Sequence, residues 1–392
     1  MRRGKAALCL GLVLLLAVAC ATPRGSPGAL PDIKPGQRPA LVSDEAGLWM
    51  YMDRVESSLK TSGRLITDPA LNKYVRGLVC KLAANYCSDV RVYVVQTPQF
   101  NASMAPNAVM QVWTGLILRA ENEAQLAYVL SHELGHYLRR HSVQLWRDVR
   151  LKGDLLVFFK LLTAAAGYGF VGDLGYLIAL GSVYAFSRDN EREADDLGFE
   201  LMVKAGYDPR EAPKIWEALV KEREAGKEST PLIFFATHPS TEERIETLQR
   251  LAEKAYTPER SWVVGKETFL AATLPHRPTF LRDELRRRDF ARSQVLFDRL
   301  LESGPEPGEL HFFQGELYRL RNEDRDETKA IASYQKALEV GGAPMDTYRA
   351  LGLLFMKQGE KEKARSAFER YLERHPKAED RQMIESYLRQ LE

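Results

Sequence analysis

The stretch Ser131-His132-Glu133-Leu134-Gly135-His136-Tyr137 decides how this chain of 392 residues can be interpreted. Residues four apart lie on the same side of a helix, so the imidazoles of His132 and His136 can reach one metal ion. Zinc prefers nitrogen and oxygen ligands in a tetrahedron, and a catalytic zinc site takes three of them from the protein. The stretch therefore predicts a metal-binding helix, starting near Glu121, that still needs a third ligand.

A candidate for the third ligand lies further along the chain, within residues 187–195. Glu191 and Asp195 are one helical turn apart, so a second helix could hold the same ion through Glu191. Asp195 would then accept the free ring N–H of a ligand histidine, which fixes the tautomer of that ring. Glu193 falls on another face of this helix and is the weaker candidate.

The other histidines are less informative. His238 precedes Pro239 and has three interpretations: it could assist the oxyanion, bind the metal and block its open position, or cap a loop. His141 lies five residues after His136, which on a continuous helix turns it off the ligand face. We expect structural or solvent-facing roles for His141 and for three histidines outside this region, His276, His311 and His375.

Composition places the chain among ordinary globular proteins and excludes one class of partner. It is 45% hydrophobic and 28% charged, which provides enough apolar sequence for more than one compact domain. The formal net charge is +2, and no basic motif is interleaved with aromatic residues. Because binding to a phosphate backbone needs such a basic surface, we expect no nucleic-acid partner.

The N-terminus is typical of an exported protein. A positively charged start and an apolar run from Ala6 to Ala19 resemble a bacterial lipoprotein signal over residues 1–19. Cleavage before Cys20 would leave that cysteine to carry lipid, whereas a plain secretory signal cleaved nearby is the alternative. Prolines recur through residues 20–40, which predicts an extended, unpacked tether between the membrane and the folded body.

Two cysteines remain in the mature chain after Cys20, namely Cys80 and Cys87. In an exported, oxidising setting a disulfide is the natural assignment for such a pair. Two buried free thiols are the alternative. A zinc site at this position is not expected, because the sequence has no histidine near either cysteine.

The sequence between the tether and residue 255 mixes helical and strand patterns. Helical periodicity covers much of residues 41–82, and strand patterns follow at Val90–Val95 and within Phe100–Trp113. The stretch from Leu155 to Phe186 is markedly apolar, but two charged residues divide it into runs shorter than the roughly 20 residues of a membrane span. We interpret it as core helices, one side of which could face a membrane.

Beyond residue 255 the pattern becomes that of repeated helix pairs. Small and aromatic residues of the last pair fall at tetratricopeptide-repeat positions: Tyr348, Leu351, Gly352, Phe355, Ala364, Phe368, Tyr371 and Pro376. A preceding copy has His311, Gly315, Tyr318, Ala330, Tyr334 and Ala337, and a weaker one has Ser293, Phe297, Leu300 and Pro305. An ordinary helical bundle is the alternative.

Together these motifs resemble a known family. His-Glu-x-x-His followed by Glu-x-x-x-Asp is similar to the family of HtpX, the CaaX prenyl protease and BepA, over about residues 41–255. Three further stretches support the resemblance: Asn101-Ala102, Thr114-Gly115-Leu116, and His238-Pro239-Ser240 with Arg244. The lipoprotein signal and the C-terminal repeats are closest to BepA-like architecture, although such members need not be lipidated.

The resemblance implies a fold and a chemistry. The fold would be an α+β zincin-like metallopeptidase domain, mostly helical with a small sheet, over residues 41–255, followed by an all-α tetratricopeptide-repeat array over residues 256–392. One zinc ion per chain would be held by three ligands, His132, His136 and Glu191. Glu133 would remove a proton from the attacking water and deliver it to the leaving amine. His238 is the second candidate catalytic residue.

The resemblance also implies where a substrate would lie and what it would be. An unfolded polypeptide would add as a strand beside Asn101, Ala102 and Ser103, held by main-chain hydrogen bonds that give broad specificity. The expected function is an endopeptidase that cleaves misfolded or stalled envelope proteins, with repeats that recruit clients or envelope assembly machinery. Ala21 after Cys20 favours the periplasmic side of the outer membrane. The alternatives are a chaperone or scaffold with a closed site, and a zinc hydrolase of cell-wall peptides.

Overall fold

The computed structural model describes residues 30–151, 186–226, 234, 238 and 242–392. The predicted signal, Cys20, the first part of the tether and nearly all of the apolar stretch from 155 to 186 lie outside the described residues. Within the described part of the chain, no helix combines the length and the apolar character needed to cross a membrane.

Helices make up most of the described chain, and one small sheet lies before the metal motif. The first elements are α1 (Asp44–Thr61), α2 (Pro69–Ala83), β1 (Arg91–Val95), β2 (Ala102–Met104), β3 (Val109–Trp113), α3 (Thr114–Arg119), α4 (Glu123–Leu138), α5 (His141–Leu151), α6 (Arg188–Lys204), α7 (Ala212–Ala225) and α8 (Glu242–Ala255). They are followed by α9 (Lys266–Thr273), α10 (Arg277–Arg286), α11 (Phe290–Ser303), α12 (Pro307–Arg321), α13 (Asp326–Val340), α14 (Asp346–Lys357), α15 (Lys361–Arg374) and α16 (Arg381–Gln390). The predicted order, a mostly helical domain with a small sheet and then helix pairs, is confirmed.

The sheet has three strands in the order β1-β3-β2. β1 runs parallel to β3, with Arg91 opposite Val109, and β2 runs antiparallel to β3, with Ala102 opposite Val112. Among the described residues, β2 pairs with a strand on one side alone. It packs against α4, so an edge strand lies beside the helix that carries the metal motif.

The last part of the predicted tether contacts the folded domain at Ile33. Most of residues 31–40 are exposed, but Ile33 is only 3% exposed. The N–H of Ile33 donates to the carbonyl of Leu138 at 3.0 Å, and the carbonyl of Ile33 accepts from the hydroxyl of Tyr86 at 2.9 Å. The segment is therefore attached to the domain at Ile33, whereas the end of the tether at residue 40 stays a prediction.

Helix α4 begins at Glu123, two residues after the predicted start near Glu121. Asn122 caps it, because its side-chain oxygen accepts the N–H of Gln125 at 3.0 Å. Every residue from 124 to 138 is buried, so the helix is central to the core rather than half exposed. The metal motif thus sits on a helix that is held from all sides.

The C-terminal helices form the expected pairs. α12 packs on α13, and α14 packs on α15. In the second helix of each pair, the residues at the predicted repeat positions are buried, namely Ala330, Tyr334, Ala337, Ala364, Phe368 and Tyr371. Aromatic rings placed opposite small residues let the two helices of a pair approach closely, as the repeat pattern predicts.

A buried charge cluster joins the two halves of the chain. The guanidinium of Arg119 on α3 contacts Glu222 on α7 at 2.8 Å and Glu284 on α10 at 3.0 Å, and all three side chains are buried. Burial opposes ionisation of Glu284, but Arg119 and Arg287 outweigh it and lower the pKa of this carboxyl to about 2. Glu284 is therefore ionised at neutral pH, and its pair with Arg119 fixes α10 to the N-terminal domain.

Candidate metal centre

Two glycines let α4 and α6 approach closely enough to share a site. A Cβ on Gly135 would lie 2.9 Å from the carbonyl oxygen of Ala194, and one on Gly198 would lie 2.8 Å from the Cα of His132. Neither distance is compatible with a larger side chain unless the backbone moves. The close packing brings the acidic face of α6 against the histidine face of α4.

Four buried side chains converge where the helices meet: His132, His136, Glu191 and His238. The Nε2 atoms of His132 and His136 are 3.1 Å apart, and they lie 3.6 Å and 3.4 Å from the two carboxylate oxygens of Glu191. Nδ1 of His238 is 3.3 Å from Nε2 of His132 and 3.0 Å from Oε1 of Glu191. The structure thus brings the three predicted ligands together and adds a fourth donor.

These separations fit a zinc ion. Ligand atoms at about 2.0–2.1 Å from zinc in a tetrahedron lie about 3.3 Å from one another. The separations given above run from 3.0 to 3.6 Å, and all four donor atoms lie within 4.8 Å of one another. Nitrogen and carboxylate oxygen are also the donor types that zinc selects, so the residues present suit this metal.

The protonation states support ligand roles. Burial lowers the pKa of His136 well below its usual value, so its imidazole is neutral, as a metal ligand must be. Burial opposes ionisation of Glu191, but His238 and His136 outweigh it and hold the pKa of this carboxyl well below its usual range. The site therefore offers neutral imidazole and ionised carboxylate.

Asp195 has the predicted place behind the first histidine. Nδ1 of His132 lies 3.0 Å from Oδ1 of Asp195. Asp195 also accepts from the hydroxyl of Tyr128 at 2.7 Å and from Arg244 through two N–H groups at 2.7 Å each. Burial opposes ionisation of Asp195, but Arg244 and His132 lower the pKa of its carboxyl well below the usual value. With Nδ1–H bound to Asp195, Nε2 of His132 is free for a metal.

Arg244 serves both the structure and the site. Its Nη1 lies 3.0 Å from Oε2 of Glu191, so one guanidinium holds the predicted ligand and the predicted orienting residue on α6. The guanidinium also lies 4.8 Å from the ring centroid of Trp216. Arg244 is buried, and its position explains why Glu191 and Asp195 keep the same orientation relative to α4.

Glu133 lies beside the donor cluster but does not join it. Its Oε1 is buried and accepts no hydrogen bond from the described residues. This oxygen lies 3.7 Å from Nε2 of His238. Burial raises the pKa of the Glu133 carboxyl, and the neighbouring His238 and His132 oppose that shift. A buried carboxylate with a raised pKa is a better proton acceptor.

His238 therefore lies between the donor cluster and Glu133. Burial would lower the pKa of its imidazole, but the carboxylates of Glu191 and Glu133 outweigh burial and raise it. Its two ring nitrogens face these two carboxylates. Of the three sequence interpretations, occupation of the open metal position agrees best with this geometry.

His141 is the site residue that the sequence reasoning missed. It is buried rather than solvent-facing, and its Nδ1 lies 3.0 Å from Nδ1 of His136. If Nε2 of His136 binds the metal, its Nδ1–H donates to His141, whose Nε2–H donates to Glu193 at 3.3 Å. Glu193, the weaker ligand candidate, thus reaches the site indirectly. The signal in the sequence was a third histidine soon after the motif.

We expect replacement of His141 by phenylalanine to weaken zinc binding by about 10–100-fold, the range found when an outer hydrogen-bond partner of a ligand histidine is removed. Phenylalanine keeps the ring volume but cannot accept the Nδ1–H of His136. Competition with a chelator measures the zinc dissociation constant. His375→Phe, at an exposed histidine, is the matched control, and equal zinc affinity in the two variants would refute the role.

The predicted substrate residues line the edge of the sheet. Ala102 and Ser103 belong to β2, and Asn101 directly precedes it. The carbonyl of Asn101 accepts from the N–H of Trp113 at 3.2 Å, and its buried Oδ1 accepts no hydrogen bond from the described residues. Remote from the metal cluster in sequence, Cys80 and Cys87 form a disulfide at the end of α2.

Comparison with known proteins supports the resemblance. The chain is 28% identical over 260 residues to a putative beta-barrel assembly-enhancing protease of Vibrio cholerae. This match covers 63% of this chain and 52% of that protein. It is 32% identical over 177 residues to the mitochondrial metalloendopeptidase OMA1 of Schizosaccharomyces pombe, and this match covers 44% of this chain and 50% of that protein. It is 27% identical over 205 residues to the Escherichia coli K12 beta-barrel assembly-enhancing protease, and this match covers 50% of this chain and 42% of that protein. The chain spans about half the length of these relatives or less.

The family matches fall on the two halves of the chain. Residues 66–252 match peptidase family M48, and they include the four clustered donors, Glu133 and Asp195. Residues 279–344 and 323–379 match the tetratricopeptide repeat. Over residues 66–252 the chain therefore resembles the metallopeptidases of family M48, and tetratricopeptide repeats follow this region.

Proposed function

We propose that this protein is a zinc-dependent endopeptidase of the bacterial cell envelope that cleaves misfolded or stalled envelope proteins. The observation that carries the proposal is the buried convergence of His132, His136 and Glu191 beside the unbonded carboxylate oxygen of Glu133. Relatives named beta-barrel assembly-enhancing protease support an envelope role, and so does the lipoprotein-like pattern ending at Cys20.

Each site residue has its own role in the proposed reaction. His132, His136 and Glu191 would hold zinc, which when bound supplies Lewis acidity to the attacking water and the scissile carbonyl. Glu133 accepts one proton from the water as its oxygen bonds to the carbonyl carbon, and then delivers that proton to the amine nitrogen as the C–N bond breaks. Asp195 keeps the Nδ1–H tautomer of His132 throughout.

The edge strand β2 is the proposed substrate platform. The side of β2 that has no strand partner among the described residues can accept an extended polypeptide through main-chain hydrogen bonds, which depend little on side-chain identity. Asn101 lies at its start with a buried side-chain oxygen that has no partner among the described residues. Broad specificity for unfolded chains follows, limited by access to the site.

One observation favours a second candidate function. Nδ1 of His238 occupies the position beside His132 and Glu191 that a substrate-activating site needs open. A chain held in this form would be a chaperone or assembly scaffold whose peptidase site is largely closed. We propose that the closed form is the resting state and that the enzyme becomes active when His238 leaves this position.

We expect His238→Ala to raise cleavage of an unfolded protein by about tenfold or more, because it removes the closed state that lowers the population of competent enzyme. The assay uses the mature chain without lipid and compares unfolded protein with cell-wall fragments. His276→Ala, on a histidine outside the metal cluster, is the control. A loss of cleavage in His238→Ala would instead assign His238 to the oxyanion, and cleavage of cell-wall fragments alone would refute the proposed substrate class.

We also propose that lipid on Cys20 anchors the mature chain to the outer membrane, with the peptidase domain facing the periplasm. The apolar run before Cys20 and the lack of an aspartate at position 21 support this location. Metabolic labelling with a fatty acid, compared between the native chain and Cys20→Ser, tests it. Labelling that persists in Cys20→Ser would contradict the assignment.

A further inference from the structure

The repeat domain carries a large groove. Its cavity volume is about 590 Å³, and it is bounded by α10, α12 and α14. Leu285, Phe312 and Leu353 are apolar residues of its lining. We call this surface the arginine groove, because five arginines line it: Arg282, Arg286, Arg288, Arg319 and Arg349.

Acidic residues neutralise part of the groove. Arg319 pairs with Glu316 at 2.6 Å, and Arg349 pairs with Asp346 at 3.2 Å and with Asp380 at 2.9 Å. These two guanidiniums already have carboxylate partners. Carboxylates within the repeats therefore balance the positive charges of these two arginines.

The arginines of α10 and of the turn after it are neutralised less completely. Arg282 and Arg288 are exposed, and neither forms an ion pair with an acidic residue in the described part of the chain. Arg286 contacts Asp283 at 2.8 Å, but its side chain is 70% exposed. Arg282 and Arg286 are one helical turn apart, so both guanidiniums rise from the same face of α10.

We propose that the arginine groove binds a polypeptide segment of another protein in which acidic side chains flank a large apolar side chain. The carboxylates would pair with Arg282, Arg286 and Arg288, and the apolar side chain would pack near Phe312 and Leu353. A planar guanidinium can hold a carboxylate through two parallel hydrogen bonds. The apolar lining distinguishes this surface from one that binds only a polyanion, such as a lipid headgroup layer.

Other side chains of α10 attach this helix to the peptidase domain. Asp283 accepts from the side-chain amide of Gln96 at 2.6 Å, directly after β1, and Glu284 pairs with Arg119 at the end of α3. One short helix thus exposes arginines to the groove and fixes its other face to the sheet region. A bound segment would be held at a defined place relative to the peptidase domain. The binding itself does not require that the proposed peptidase function be correct.

The test measures binding of fluorescent peptides by polarisation, using the full mature chain with Glu133→Gln so that no probe is cut. The probe is a twelve-residue peptide that alternates glutamate and leucine, and the comparison peptide has glutamine in place of glutamate. We expect the acidic peptide to bind at least about tenfold more tightly than the neutral one at low salt, and less tightly as salt rises.

The variants locate the binding surface. Arg282→Glu with Arg286→Glu should weaken binding of the acidic peptide at least about tenfold, whereas Arg282→Lys with Arg286→Lys should lose less because charge is kept. Lys361→Glu with Arg370→Glu, at exposed positions of α15, makes the same charge change outside the groove and should have little effect. Equal binding of both peptides, equal loss in both charge-reversal variants, or binding of anionic vesicles but not of peptide would overturn the proposal.

Discussion

Replacement of Glu133 by glutamine is expected to lower the rate of cleavage of an unfolded protein by about 10²–10⁴-fold, the usual contribution of a positioned general base. Glutamine has nearly the same shape but cannot accept a proton from water. Glu133 lies outside the donor cluster, so zinc should remain bound with unchanged stoichiometry. Cleavage rate and zinc content are measured on the same preparation, in the native background and with His238→Ala.

The control for this experiment is Glu200→Gln, which makes the same chemical change at an exposed position of α6. It should leave both cleavage and zinc unchanged. If Glu133→Gln keeps most of the cleavage activity, Glu133 is not the proton acceptor and the proposed mechanism fails. If any scaffold activity survives in Glu133→Gln while cleavage is lost, the two candidate functions coexist in one protein.

Replacement of Glu191 by alanine should remove the metal rather than the proton transfer. Apparent binding energies of about 10–16 kcal/mol for zinc held by four ligands imply about 3 kcal/mol for each. Loss of one ligand therefore weakens binding by about 10²-fold. Alanine also leaves Nη1 of Arg244 without its carboxylate partner at 3.0 Å, so the site itself becomes less ordered.

Zinc affinity is again measured by chelator competition, with a thermal melt to show that the fold persists. Glu200→Ala, on the exposed face of the same helix, controls for any general effect of shortening a glutamate in α6. We expect zinc to dissociate from Glu191→Ala at chelator concentrations that leave Glu200→Ala loaded. Unchanged affinity in Glu191→Ala would remove Glu191 from the ligand set and leave the histidines alone to hold the metal.

Features that depend on spacing within one helix could be predicted from the sequence. His132 and His136 are four residues apart on α4, and Glu191 and Asp195 are four apart on α6. Helical geometry alone places each pair on one face, whatever the rest of the chain does. The repeat pattern is predictable for the same reason, because its small and aromatic positions act between helices that are adjacent in sequence.

The same reasoning failed where the chain leaves the helix. His141 was counted as if α4 continued, but α4 ends at Leu138 and Arg140 has a φ of 58°. This left-handed residue reverses the chain direction and returns His141 to Nδ1 of His136. Composition likewise suggested an unpacked segment around Ile33, because prolines are visible in a sequence and single hydrogen bonds to distant backbone atoms are not.

The sequence by itself determined that His132 and His136 share one face of a helix, and that Glu191 and Asp195 share one face of another, because each pair depends only on a spacing of four residues. Only the tertiary structure decided that His238 lies between Glu191 and Glu133 and that Arg119 joins α3 to α10. Each of these contacts spans a long stretch of chain. The packing of the whole core brings these partners together, so the contacts cannot be predicted from local sequence periodicity.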